Sequence, residues 1–260
     1  MPHMDPVNLI TYEYPLIERV RTLLRIEDLF DRMRDFVARE EPHSHHAALV
    51  TLFEILEVGG RADLKSDLLQ ELDRQKQTML AYRGKPEIDS VALARILDRI
   101  ETTATALRGM TTGKIGQHLR ENEWLMAIKQ RSSIPGGTCE FDLPSYHHWL
   151  HRPAATRTKD LETWIAPLAP LHDGAAIVLQ LLRQSGKPVS AHAAGGNFQQ
   201  MLGGRVAQLA RLRLSAALAV IPEISANKYA LNVRFTTFDR DMHPRPISDD
   251  VDFELTFCSL

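Results

Sequence analysis

The stretch "NKYALNVRFTTF" (227–238) alternates in steps of two. Tyr229, Leu231, Val233 and Phe235 fall on one face; Lys228, Ala230, Asn232 and Arg234 fall on the other. Successive side chains of a strand point to opposite faces, so this spacing predicts a strand with one buried and one wet face. "DVDFELTFC" (250–258) repeats the pattern, with Val251, Phe253, Leu255 and Phe257 inward and Asp252 and Glu254 outward. "ARLRLSA" (210–216) sets Leu212 and Leu214 against Arg211 and Arg213. One-sided strands of this kind suit an antiparallel sheet covered on one face, and the helical segment 160–185 is predicted to cover it. At the far end of the chain, "NLITYEYPL" (8–16) puts Ile10, Tyr12 and Tyr14 on one side and stops at Pro15. Strand 7–15 has no strand neighbour nearby, so it is predicted to join the C-terminal sheet.

Between these ends the period changes to that of a helix. Leu16, Val20, Leu23, Phe30, Met33 and Val37 are three, four or seven apart, which predicts a long helix of about six turns. "HAALVTLFEILEV" (46–58) is short and apolar. Leu64, Leu68, Leu72, Gln75 and Met79 form the next stripe. Asp89 and Ser90 offer caps for 91–109, a break spans Gly109–Gly113, and 115–131 is helical again. The fold class read from these patterns is α+β. An N-terminal α-helical bundle domain spans 16–131. A C-terminal antiparallel β-strand domain with a covering helix spans 132–260.

The chain of 260 residues is long enough for two domains with real cores. A net charge of −2 argues against a general nucleic-acid binder, which would be strongly basic. No apolar run approaches the ~20 residues that span a bilayer, and "MPHMDPVNLI" has no basic-then-apolar leader pattern. Only Cys139 and Cys258 are present, too few for a disulfide framework. These features predict a cytosolic protein.

The densest chemistry lies in "SIPGGTCEFDLPSYHHWLH" (133–151). His147 and His151 are four apart and would share a helix face, as metal ligands do. The helical zinc signature also needs a glutamate after the first histidine, and His148 stands there. A Cys139–His147 nucleophile pair is conceivable, but the neighbouring Glu140 disfavours a thiolate. Histidines beside tryptophan and leucine read first as packing residues, and "IPGGT" reads as a turn with a glycine at positive φ. No metal, cofactor or catalytic residue is therefore assigned. A metal- or thiol-dependent enzyme built on Cys139, His147 and His151 stands as the alternative.

Arginines mark the other candidate. Arg21 and Arg25 are like charges one turn apart, with Arg32 beyond; Glu18, Asp28 and Glu13 are the acids that could answer them. Arg61 sits in a loop after Gly59–Gly60, near Asp63. Lys228 and Arg234 share the outer face of the predicted strand, where Asp252 and Glu254 are the acids available to pair with them across strands.

Several stretches together resemble the ZapD family of cell-division proteins. They are "YEYPLIERVRTLLRIEDLF" (12–30), "LLQELDRQ" (68–75), "IGQHLRENEW" (115–124), "QRSSIPGGTCEFDLPSYHHWLH" (130–151), "LETWIAPLAPL" (161–171), "LLRQS" (181–185), "ISANKYALNVRF" (224–235) and "VDFEL" (251–255). The resemblance implies a cytoplasmic, non-enzymatic homodimer recruited to the midcell Z-ring. It implies a helical and a β-strand domain, binding to the C-terminal tail of the tubulin-like GTPase FtsZ, and bundling of FtsZ protofilaments. Neither nucleic acid nor membrane is an implied partner. Carried over by motif, the tail-binding residues are Arg25, Arg61, His147 and Arg234, with Lys228 and Arg21 behind them. His147 is expected to line a groove between the domains, and 133–151 to serve as hinge and core. Glu123 and Ala230 stand where relatives can be basic, which predicts a less cationic groove. Dimerisation is expected through the helical domain, where Leu24 and Ile26 beside Leu23 widen the apolar stripe.

Overall fold

The computed structural model describes residues 8–61, 63–110, 115–204 and 206–260. Val7 of the expected strand and Gly113 of the expected break lie outside them. The chain divides into two compact units: one is helical, Thr22–Leu179, and the other combines the segments up to Arg21 and from Gln180 to Leu260.

In the helical unit, α1 (Glu18–Val37, which begins in the other unit), α2 (Pro42–Gly59), α3 (Leu64–Leu80) and α4 (Ser90–Gly109) follow the predicted stripes. Two of these starts have a clear local cause. Pro42 opens α2, where its missing N–H costs nothing. The Asp89 carboxylate caps α4 by accepting from the amides of Val91 and Ala92 at 2.8 and 3.0 Å. Then come α5 (Gln117–Arg120), α6 (Glu123–Ser132), α7 (Pro144–Leu150), α8 (Ala154–Ile165) and α9 (Ala169–Ser185). Asn122 caps α6, and Glu123 sits in its first turn, where a negative charge meets the positive end of the helix dipole. The most apolar helix, α2, buries Leu49, Leu52, Ile55 and Leu56 completely and touches α6, α7 and α8.

Residues 133–143 are turns rather than a strand, with Gly136 at φ 70° as the "IPGG" pattern predicts. They lead into α7, whose Tyr146 and Trp149 are buried. Trp149 lies 5.9 Å, ring centre to ring centre, from both Trp124 and Trp164. The whole 133–151 stretch thus belongs to the core and surface of the helical unit. The expected boundary at 131/132 falls inside this unit, because α7, α8 and most of α9 bury their apolar faces here.

Ala154–Ser185 runs as one helical stretch long and apolar enough to cross a membrane, although His172 and Asp173 interrupt it in sequence. Half of its most apolar window is buried inside the protein, as befits a core helix.

The other unit is a pair of antiparallel sheets. Its strands are β1 (Leu9–Pro15), β2 (Val189–Ala193), β3 (Asn197–Met201), β4 (Leu209–Ser215), β5 (Ile221–Ala226), β6 (Ala230–Phe238), β7 (Pro244–Pro246) and β8 (Val251–Cys258). One sheet runs β1-β4-β8-β2, so the N-terminal strand does join the C-terminal ones, with Tyr12 opposite Leu212. The second runs β3-β6-β5, with β7 also on β6. Leu212, Leu214, Phe253 and Leu255 of the first sheet share one core with Leu231, Val233 and Phe235 of the second. The alternation therefore identified the buried face, but a second sheet covers it. The end of α9 meets the opposite face of the first sheet. There Arg183 reaches Glu13, and a side chain on Gly186 would collide with the Phe257 carbonyl at 2.4 Å.

Candidate functional site

On α1, Arg21 is half-buried and locally engaged. Its Nε lies 3.2 Å from a Glu18 carboxylate oxygen, as the three-residue spacing predicts, and it also donates to the Pro15 carbonyl. Glu13 is taken instead by Arg183 and Arg211, at 2.7 and 2.8 Å.

One turn further on, the Arg25 side chain is exposed and forms no ion pair or hydrogen bond among the described residues. It borders a groove of about 430 Å³ between α1 and α2, with Leu29 and Val58 as apolar lining. The acids of this groove are already claimed. Arg32 holds Asp28 at 3.0 Å and Glu54 at 3.6 Å. Lys129 and Arg120 hold Glu57, and the hydrogen bond and charge of Lys129 keep its carboxyl below the usual range. Arg25 is left as a cation beside an apolar surface, which is the composition that receives an acidic group next to an apolar side chain. Lys129 and Arg120 escaped the sequence reading because they come from α6 and α5, which no periodicity relates to α2.

Arg61 follows the end of α2 in a loop, as expected, and its Nη1 lies 3.4 Å from Thr22 Oγ1, one turn before Arg25 on α1. His147 is on α7, with its ring centre 4.3 Å from that of His151 and its Nδ1 3.9 Å from Glu140. The Cys139–His147–His151 alternative gains no support. Among the described residues, the group whose ligand atoms converge is Asp239, Asp241 and His243. Asp239 there already accepts from the amides of Asp241 and His243 and from Arg245, so it closes a loop.

In the β unit the expected geometry needs correction at Lys228. It lies in the β5–β6 turn, not on the strand, because Asn227 accepts from the amides of Tyr229 and Ala230 at 2.8 and 3.0 Å and holds the chain in a tight turn. Its ammonium stands 4.7 Å above the Tyr229 ring. Pairing with Asp252 or Glu254 is also replaced, since β6 and β8 are in different sheets. His192 takes Asp252, and Arg213 takes Glu254. Arg234 is exposed, and its register partners are Asn197 on β3 and Glu223 on β5. Ala230 is buried.

The family model of ZapD, described as a cell division protein, matches residues 24–234, a span that includes both Arg25 and Arg234. The chain belongs to this family. It is 56% identical to the cell division protein ZapD of Azoarcus sp. (strain BH72) over 252 residues, 97% of this chain and 100% of the relative. It is 55% identical to that of Aromatoleum aromaticum over 252 residues, 97% of this chain and 98% of the relative. It is 56% identical to that of Dechloromonas aromatica over 253 residues, 97% of this chain and 100% of the relative. Membership of the ZapD family assigns the chain a role in cell division.

Proposed function

We propose that this ZapD-family protein binds the C-terminal tail of FtsZ and, as a cytoplasmic homodimer, cross-links FtsZ protofilaments at the Z-ring. The observation that carries the reading is the uncompensated Arg25 beside Leu29 and Val58, in a groove whose acids already have cationic partners. Arg61 and the exposed Arg234 are the further contacts, with His147 and Lys228 in support. Arg21 ranks lower because Glu18 and the Pro15 carbonyl already hold it.

No covalent chemistry, cofactor, nucleic acid or membrane enters this mechanism. A few charge-assisted contacts and an apolar anchor give modest affinity. Two sites on one dimer then convert the second encounter into a local one along a neighbouring filament. The dimer interface is assigned to the helical domain. Ile26 is completely buried within the chain and unavailable for this purpose, whereas Ile88 and Val91 near the start of α4 are exposed. A light-scattering mass of a single chain at micromolar concentration removes the dimer from the mechanism.

The test is co-pelleting with FtsZ, with and without its tail, beside Arg25→Ala and Arg234→Ala. Tail-dependent bundling that weakens in both variants, and weakens as salt approaches physiological strength, is expected, because exposed charge contacts are screened over ~8–10 Å. Equal bundling of tailless FtsZ overturns the reading.

A further inference from the structure

The outer face of the β3-β6-β5 sheet carries a shallow recess of about 340 Å³. Register places its side chains in two rows. Asn197, Arg234 and Glu223 form one, and Gln199, Asn232 and Ser225 form the other. Arg234 and Glu223 are both exposed and sit on adjacent strands, where Cα atoms are about 5 Å apart. Yet neither side chain makes an ion pair or hydrogen bond among the described residues. The other row presents amides and a hydroxyl, each able to donate and accept. A face with one free cation, one free anion and a row of amides matches a peptide main chain flanked by side chains of both signs.

We propose that this recess reads a mixed-charge peptide segment: a carboxylate on Arg234, a basic side chain on Glu223, and main-chain N–H and C=O groups on Gln199 and Asn232. The proposal refines the tail-binding reading, on which it rests only for the identity of the natural peptide. It differs from a purely cationic surface by giving the acid, Glu223, a positive part in recognition. In a purely cationic site, neutralising Glu223 strengthens binding of any acidic peptide. In the mixed-charge recess, it weakens binding of peptides that carry a basic residue.

The experiment titrates the full-length protein with a synthetic FtsZ tail peptide and with blocked alanine-based peptides carrying an Asp–Lys pair, Asp alone or Lys alone. Glu223→Gln and Arg234→Gln are compared with the unaltered chain, and circular dichroism checks their folding. Glu223→Gln is expected to weaken the Asp–Lys peptide about two- to fivefold and to leave the Asp-only peptide unchanged or slightly tighter. Arg234→Gln is expected to weaken both by a similar factor. An Asp–Lys peptide that binds equally or more tightly to Glu223→Gln overturns the proposal, as does the absence of binding by any designed peptide. Failure of the FtsZ peptide alone, with the designed peptides behaving as expected, overturns the tail-binding reading and leaves the recess intact. Tight binding of the FtsZ peptide that neither variant changes sinks the recess and leaves tail binding elsewhere.

Discussion

Replacing Arg157 by methionine tests how the helical unit is held together. Arg157 is almost completely buried. Its Nε donates to His45 Nδ1 at 2.9 Å, its Nη1 to the carbonyls of Leu150 and Arg152, and its Nη2 to the Glu40 carbonyl at 2.5 Å. One side chain from α8 therefore ties the entry to α2 to the exit from α7. Hydrogen bonds from a charged donor contribute about 1.5–3 kcal/mol each, so these four amount to roughly 6 kcal/mol even at the low end. The methionine variant no longer bears the desolvation cost of burying a guanidinium, which offsets several kcal/mol of this. The expected net loss is about 3 kcal/mol. Methionine keeps much of the packing volume, so the loss reports polar ties rather than a cavity. Urea unfolding followed by tryptophan fluorescence suits the test, because Trp124, Trp149 and Trp164 all lie in this unit. With a slope of about 1–3 kcal/mol/M, the midpoint should fall by about 1–3 M. A shift corresponding to less than about 1 kcal/mol refutes the idea that Arg157 organises this junction.

Acid should loosen the same unit. Burial, joined for His45 by the Arg157 charge and for His46 by His43, lowers both imidazole pKa values below their ordinary range. The unfolded chain then binds more protons, so the stability these groups contribute is present above pH ~6.5 and is lost as pH falls below it, by at most about 1.4 kcal/mol per pH unit for each. Thermal melts between neutral and mildly acidic pH should show it, and a flat profile contradicts it. Glu13→Gln should destabilise the β unit by about 3 kcal/mol in chemical unfolding. Burial alone would raise the Glu13 carboxyl, but the bonds and charges of Arg183 and Arg211 outweigh it and hold it below its usual range. An unchanged midpoint would show that the cluster is ornamental. Gly116→Ala should cost about 1–3 kcal/mol in unfolding experiments, since φ is +72° and the new methyl would lie 2.2 Å from a Leu56 methyl; wild-type stability would mean that this turn adapts freely.

The strands that decide the fold were legible because alternation records which face is dry. Leu231, Val233 and Phe235 face the core as their spacing requires. What covers that face is not encoded locally, and the second sheet depends on short strands such as β3, where Phe198 is the one large apolar side chain that reaches the shared core. Lys228 was misplaced because alternation continues through it, while the Asn227 side chain ends the strand by turning the backbone. At the candidate site, Arg25 was readable as a like charge one turn from Arg21. That the acids around it are already taken depends on Arg32, two helix turns further along α1, and on Arg120 and Lys129 arriving from α5 and α6. His147 and His151 illustrate the limit of spacing: the ligand-like interval is present, but no third donor meets them among the described residues.

The pairing of β1 with β4 has a consequence for biosynthesis. Leu9 lies opposite Ser215, so β1, once out of the ribosome, must wait for a mate encoded roughly 200 residues later. At about 5–20 residues per second, that is an interval of roughly 10–40 s. During this time Ile10, Tyr12 and Tyr14 are an unzipped apolar edge on the nascent chain, and a message truncated anywhere before β4 leaves them permanently so.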